Sequence, residues 1–359
     1  MFSLRDKTLA DDIVSQIKKA GLNLKFMHVC GTHQDTLVKH GLDVLLQKTG
    51  VEIGQGPGCP VCVTTPQEIE EVLVLAKEGK TIASFGDMIH VPGATSSLQQ
   101  LKTEGYDIRT VYSIEDSVML AEKHKEKEIV FMAVGFETTA PTTASVLLRD
   151  PPSNFSVLCC HRLIPPALQA ILDMGEIKID GFIEPGHVST IIGAKPYDFI
   201  SRDYHIPQVI AGFEPIDLLM GAWMLVRQIQ LGKAEVQNEY IRAVKSQGNK
   251  KAQQVMKQVF EPMDIKWRGF PVIPRSGLKL RNTFASYDAR KKYDEDLAKL
   301  AEEEFAEPAG CLCGEVLRGL ISSKECPLFG RGCTPDNPVG PCMVSSEGNC
   351  NIQYRYSKQ

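Results

Sequence analysis

The chain has 359 residues, 43% of them hydrophobic and 23% charged, with a formal net charge of −4. That length accommodates two or three domains, and the slightly acidic balance lacks the basic footprint of a nucleic-acid binder. No apolar run reaches the length of a membrane span, and no low-complexity tract interrupts the sequence.

In chain order, residues 1–19 mix charged and apolar side chains without the apolar core of a secretory leader, so a reducing, cytoplasmic setting is expected. Leu9, Ile13 and Ile17 share one helical face, and Gly21 is the stop. Residues 25–30 form a short apolar run that predicts a buried strand, followed by Gly31-Thr32-His33 and a helix over 35–48. The same unit recurs. Residues 51–53 run into a glycine loop carrying Cys59 and Cys62 and then a helix over 66–77, and residues 81–85 run into the loop of His90. Residues 107–112 precede a helix over 114–125, and residues 128–134 lead into Gly135-Phe136-Glu137-Thr138-Thr139. Residues 155–160 reach His161, residues 181–183 reach Glu184-Pro185-Gly186-His187, and residues 208–211 reach Gly212-Phe213-Glu214-Pro215.

Strand, polar or glycine loop, then helix, repeated in this way, predicts parallel α/β architecture. The expected division is two parallel-sheet α/β lobes, 1–120 and 121–260, then a cysteine-rich C-terminal domain over 261–359. Residues 215–259 read as almost continuous helix broken near Gly248, residues 267–281 as extended, and residues 294–305 as one more helix. In parallel sheets the loops after the strand C-termini build the site. Here those loops carry Cys30, His33, Cys59, Cys62, His90, Glu137, His161, His187 and Glu214.

The tail holds Cys311, Cys313, Cys326, Cys333, Cys342 and Cys350, six of the eleven cysteines, punctuated by glycine and proline. So little apolar sequence needs a covalent or metal cross-link to hold a shape. A disulfide knot suits secreted domains, and zinc usually takes paired C-x-x-C knuckles, absent here. Irregular spacing suits an iron–sulfur cluster better, because four thiolates converge on it from different loops. Four ligands leave two thiols over, which could form a redox pair.

Elsewhere, Cys59-Pro60-Val61-Cys62 can close a disulfide or grip a soft metal ion, and a structural half-site for zinc is the blander alternative. Cys30-Gly31-Thr32-His33 places a thiol and an imidazole on one loop, suited to an activated nucleophile or to iron ligation; the loop taken alone favours a buried strand-end cysteine beside a capping histidine, and the neighbouring loop of Cys59 and Cys62 shifts the balance toward three converging thiols. Cys159 and Cys160 lie in an apolar strand and read as packing. Glu137 can serve as acid, base or acceptor, or simply sit in a turn capped by Thr138 or Thr139. Neither a P-loop nor a dinucleotide fingerprint occurs, and the C-x3-C-x2-C spacing of radical SAM proteins is absent.

Four stretches, F-M-H-V-C-G-T-H-Q-D-T, G-P-G-C-P-V-C-V-T, G-F-E-T-T-A-P-T-T and P-C-M-V-S-S-E-G-N-C, in this order between Phe26 and Tyr354, resemble the HypD family of hydrogenase maturation proteins. The resemblance implies a cytoplasmic scaffold for the iron of nickel–iron hydrogenases. It implies a small HypC-type partner, an iron that receives carbonyl and cyanide to become an Fe(CN)2CO centre, and HypE as cyanide donor. It places the active thiols on Cys30, Cys59 and Cys62, and the ligands of a 4Fe-4S cluster on Cys311, Cys326, Cys333 and Cys350. Cys313 and Cys342 remain as the redox pair, and Glu184 stands where the family leads one to expect a small residue. The family is also similar to ferredoxin:thioredoxin reductase in setting a cluster beside redox thiols, so a free-standing thiol–disulfide oxidoreductase is the alternative reading.

Overall fold

A computed structural model describes residues 6–300 and 303–356. Among these residues eleven strands form three sheets. They are β1 (Leu24–His28), β2 (Val51–Gln55), β3 (Thr81–Ser84), β4 (Ile108–Thr110), β5 (Ile129–Gly135) and β6 (Phe155–His161), then β7 (Gly181–Pro185), β8 (Gln208–Ala211), β9 (Val236–Asn238), β10 (Phe260–Lys266) and β11 (Val272–Leu280). One parallel sheet has the order β2-β1-β7-β8-β9, the other β4-β3-β5-β6, and β10 pairs antiparallel with β11.

The α/β class with parallel sheets is therefore as expected, but the sheets do not follow a division at residue 120. β3 and β4 pair with β5 and β6 across that point, and β1 and β2 pair with β7. Parallel neighbours need long crossovers, so each sheet can recruit strands from far along the chain. Helix boundaries differ in three places. The helix expected over 35–48 starts earlier, at Gly31–Lys39, and a left-handed Gly41 separates it from Leu42–Gln47. The stretch expected as helix over 215–259 contains β9 between the helices Pro215–Gln230 and Lys250–Val259. The helix expected over 294–305 covers Asp294–Leu297 with a 3-10 turn at Ala298–Leu300; residues 301 and 302 lie outside the described residues, and 303–305 are not helical.

The two parallel sheets face one another across a shared core. Met27, Phe182 and Ile210 come from one sheet, and Ile82, Val130, Met132 and Leu158 from the other. Alternation sends Phe26, Ile183 and Val209 to the outer face of the first sheet, and Ala83, Phe131 and Val157 to the outer face of the second. Cys313, Cys333, Cys342 and Cys350 of the tail join the shared core, and a Cβ on Gly319 would meet the Met27 side chain of β1 at 2.6 Å, so the tail packs onto the first sheet. A buried ion pair helps tie the layers, the Arg162 guanidinium at the end of β6 meeting both oxygens of Glu68 at 3.0 and 2.6 Å. Glu68 also closes the capping box with Thr65 that starts the helix Pro66–Lys77. No helix among the described residues is long and apolar enough to cross a membrane.

Candidate functional site

β1 ends at His28, and Cys30 is the N-cap of the helix Gly31–Lys39. β2, its neighbour, runs into Gly56-Pro57-Gly58 and then the short helix Pro60–Val63, with Cys59 as N-cap. The two loops touch. Gly31 N–H donates to the Gly58 carbonyl at 3.2 Å, and a Cβ on Gly58 would lie 2.1 Å from the Cys30 nitrogen. Only glycine permits that approach. Cys59 and Cys62 are joined as a disulfide with Cα atoms 5.2 Å apart, both fully buried.

Cys30, Gly58, Pro60, Phe136, His187 and Glu347 line a cleft of about 300 Å3. Burial pushes the Cys30 thiol up to about 11; the N–H of His33 opposes this and the charge of Glu347 adds to it. A soft cation in the cleft would offset that burial by favouring the thiolate. Glu347 arrives from the tail, and a Cβ on Gly31 would meet its Cβ at 2.5 Å.

His33, expected beside Cys30, is fully buried behind it. Its Nε2 donates to the Ala211 carbonyl at 3.2 Å, its ring packs on Phe213, and its Nδ1 has no partner. Burial lowers it to about 3, so it stays neutral. His28 is pinned more firmly. Cys30 N–H donates to His28 Nδ1 at 3.4 Å, so Nε2 carries the proton and donates to Gln34 Oε1 at 2.8 Å. Gln34 then donates to Asn349 Oδ1 at 2.7 Å, across 315 residues of sequence.

Glu137 lies between Phe136 and Thr138, which line the cleft, and its Oε1 accepts from Ile164 N–H at 3.0 Å. Burial pushes its carboxyl up to about 8, from 4.5. A raised carboxyl supports folding fully below the ordinary value, and that support is lost as pH rises toward the folded value. Glu137→Gln is therefore expected to gain on the wild type between about pH 4.5 and about pH 8. Urea midpoints read this, and a wild-type-to-variant difference constant over that range would overturn the assignment. Glu184, also buried, has both oxygens unpartnered and is held well above the carboxylate range by burial.

His161 Nε2 bonds Thr143 Oγ1 at 3.0 Å, His90 is exposed, and Glu214 caps the helix Pro215–Gln230. Cys159 and Cys160 are buried, as their apolar strand predicts.

In the tail, Cys311, Cys313, Cys326, Cys333 and Cys350 line one small hollow, closed by Leu328, Phe329 and Met343. Cys311 and Cys313 have sulfurs 3.3 Å apart. Cys342 is fully buried, and hydrogen bonding to Cys313 and Cys350 holds its thiol well above the ordinary value. Hydrogen bonding to Cys313 and Cys342 pulls Cys350 well below it. Among the described residues no three His, Cys, Asp or Glu side chains meet closely enough for a single metal ion. An all-sulfur donor set from separate turns in an apolar hollow does fit an iron–sulfur cluster chemically. The tail touches the disulfide, since Cys62 Sγ lies 3.9 Å from the carbonyl of Pro341, the residue before Cys342.

Sequence reasoning assigned no part to Glu347, Gln34, Asn349 or Arg268. Glu347 does stand inside the stretch P-C-M-V-S-S-E-G-N-C, but nothing local says that it faces Cys30.

The family model described as HypD, hydrogenase formation hypA family, matches residues 6–357. The chain is 45% identical to a hydrogenase expression/formation protein of Methanocaldococcus jannaschii, covering 100% of each. It is 42% identical to hydrogenase maturation factor HypD of Cupriavidus necator, over 99% of this chain and 96% of that one. Against hydrogenase maturation factor HypD of Rhizobium leguminosarum bv. viciae the identity is 42%, over 99% and 94%.

Proposed function

Because the chain belongs to the HypD family and so has a role in hydrogenase maturation, we propose that it is the scaffold on which the iron of nickel–iron hydrogenases acquires its carbonyl and cyanide ligands. It works in the cytoplasm with a small HypC-type chaperone and takes cyanide from HypE. The iron is cargo. Cys30 holds it in the cleft together with a thiol of the partner, since an iron that accepts diatomic ligands must keep coordination positions open. Cys59 and Cys62 are a two-electron store, and their reduction, which consumes two electrons and two protons, would open two thiols beside Cys30.

Cys311, Cys326, Cys333 and Cys350 would hold a 4Fe-4S cluster, with Cys313 and Cys342 as the neighbouring thiol pair. Such a cluster supplies reducing equivalents one electron at a time. The observation that carries this reading is the continuity of the thiol sites: the loop of Gly58 touches Cys30, and the helix that follows it sets Cys62 against Pro341 of the tail.

The buried disulfide against the cysteine-rich tail also favours a second reading, a thiol–disulfide oxidoreductase resembling ferredoxin:thioredoxin reductase. Infrared spectra of the chain purified with its small partner separate the two. Bands of iron-bound cyanide and carbonyl support the scaffold; their absence, with turnover of a protein disulfide, would replace it with the oxidoreductase.

A further inference from the structure

The loop between β10 and β11 belongs to neither the cleft nor the cysteine hollow, yet it touches the elements of both. Arg268 is 1% exposed. Its backbone N–H donates to the Val63 carbonyl at 2.9 Å, and its Nε donates to the Thr64 carbonyl at 2.8 Å. Those carbonyls end the helix Pro60–Val63 that carries Cys62. Nη1 pairs with Glu307, just before the tail, and Nη2 is buried with no partner.

Gly269 follows with φ +79°, and a Cβ there would lie 2.3 Å from the Cα of Gly314, next to Cys313. The two backbones are in contact, and this fixes the guanidinium at the start of the tail. Glu307, which Nη1 meets, lies four residues before Cys311, and Gly314 follows Cys313, so Arg268 is held against the segments that flank two of the cysteines lining the hollow.

A buried guanidinium is costly unless it meets compensating negative charge. Glu307 is 38% exposed, so water screens it, and it leaves Nη2 unanswered. A thiolate-bound iron–sulfur group carries net negative charge, which each one-electron reduction increases by one unit. A fixed cation in a low-dielectric site stabilises the more negative state, and charge and hydrogen bonds near the sulfurs are among the levers that set such potentials.

We propose that Arg268 is the buried counter-charge of the tail's iron–sulfur site, a positioning residue that raises its reduction potential while clamping the Cys62 helix against it. This rests on the reading of the tail as a cluster site. Glu307 competes for the same guanidinium, and so lowers the potential.

Midpoint potentials of the anaerobically purified chain, measured by dithionite titration followed by electron paramagnetic resonance, test it. Arg268→Gln is expected to lose at least tenfold in the reduction equilibrium, about 59 mV more negative for one electron. Arg268→Lys keeps the charge and should recover most of that loss. Glu307→Gln, at a partly exposed side chain, should move the midpoint the other way, and it carries the test alone if Arg268→Gln fails to fold. A purely structural clamp would move none of these potentials. Wild-type iron and sulfide content with unmoved midpoints in Arg268→Gln and Glu307→Gln would overturn the proposal. Absence of iron and sulfide from the wild type would instead overturn the cluster reading, and the proposal with it.

Discussion

Cys30→Ser should abolish the infrared bands of ligated iron while leaving the fold, the proposed tail cluster and binding of the proposed small partner intact. Cys30 is the N-cap of the helix Gly31–Lys39, and serine is a preferred residue there, so the substitution keeps the local structure. The cleft keeps its shape, because the Gly31 to Gly58 contact and the Glu347 wall involve no Cys30 sulfur. What changes is the donor: a hydroxyl replaces the soft thiolate that suits iron binding cyanide and carbonyl. Bands at wild-type intensity would remove Cys30 from the site. Loss of the cluster as well would show that the cleft and the tail are not separable, a coupling for which the Gly31–Glu347 contact and the Gln34–Asn349 hydrogen bond provide the path.

Cys333→Ala and Cys326→Ala should each lose the visible absorbance and nearly all of the iron of the proposed cluster. Cys333 is almost buried in the hollow, and the Val339 N–H donates to its sulfur at 3.3 Å, so its turn is shaped around that thiol. Cys326 lines the same hollow from the preceding turn. A site that forms only on folding returns its binding free energy as stability, so limited proteolysis should cut the tail of both variants faster than that of the wild type. Cys342→Ala removes a thiol outside the proposed ligand set and should retain the iron. Full iron content in both Cys333→Ala and Cys326→Ala would show that the ligand set is wrong.

Much of the fold is legible locally. The helix Pro66–Lys77 could be placed to the residue because Thr65, Pro66 and Glu68 build a capping box with proline in the first turn. β5 and β6 are continuous apolar runs, as strands covered on both faces must be. β9 escaped because it is three half-buried residues held by pairing with β8, which leaves no periodic signature. The break at Gly41 was hidden inside a run whose apolar spacing continues on either side of it.

The candidate site divides along the same line. Cys30, Cys59 and Cys62 were legible as reactive types in loops after strands, and the six tail cysteines as a cross-linked segment, because side-chain chemistry and turn composition are local properties of the chain. Which strands share a sheet was not legible, and neither were Glu347 beside Cys30 or the guanidinium of Arg268 between two thiol sites. Each of these depends on contacts between residues far apart in sequence. Such contacts are chosen when the whole chain satisfies close packing and buried hydrogen bonding at once, so the tertiary structure alone decides them.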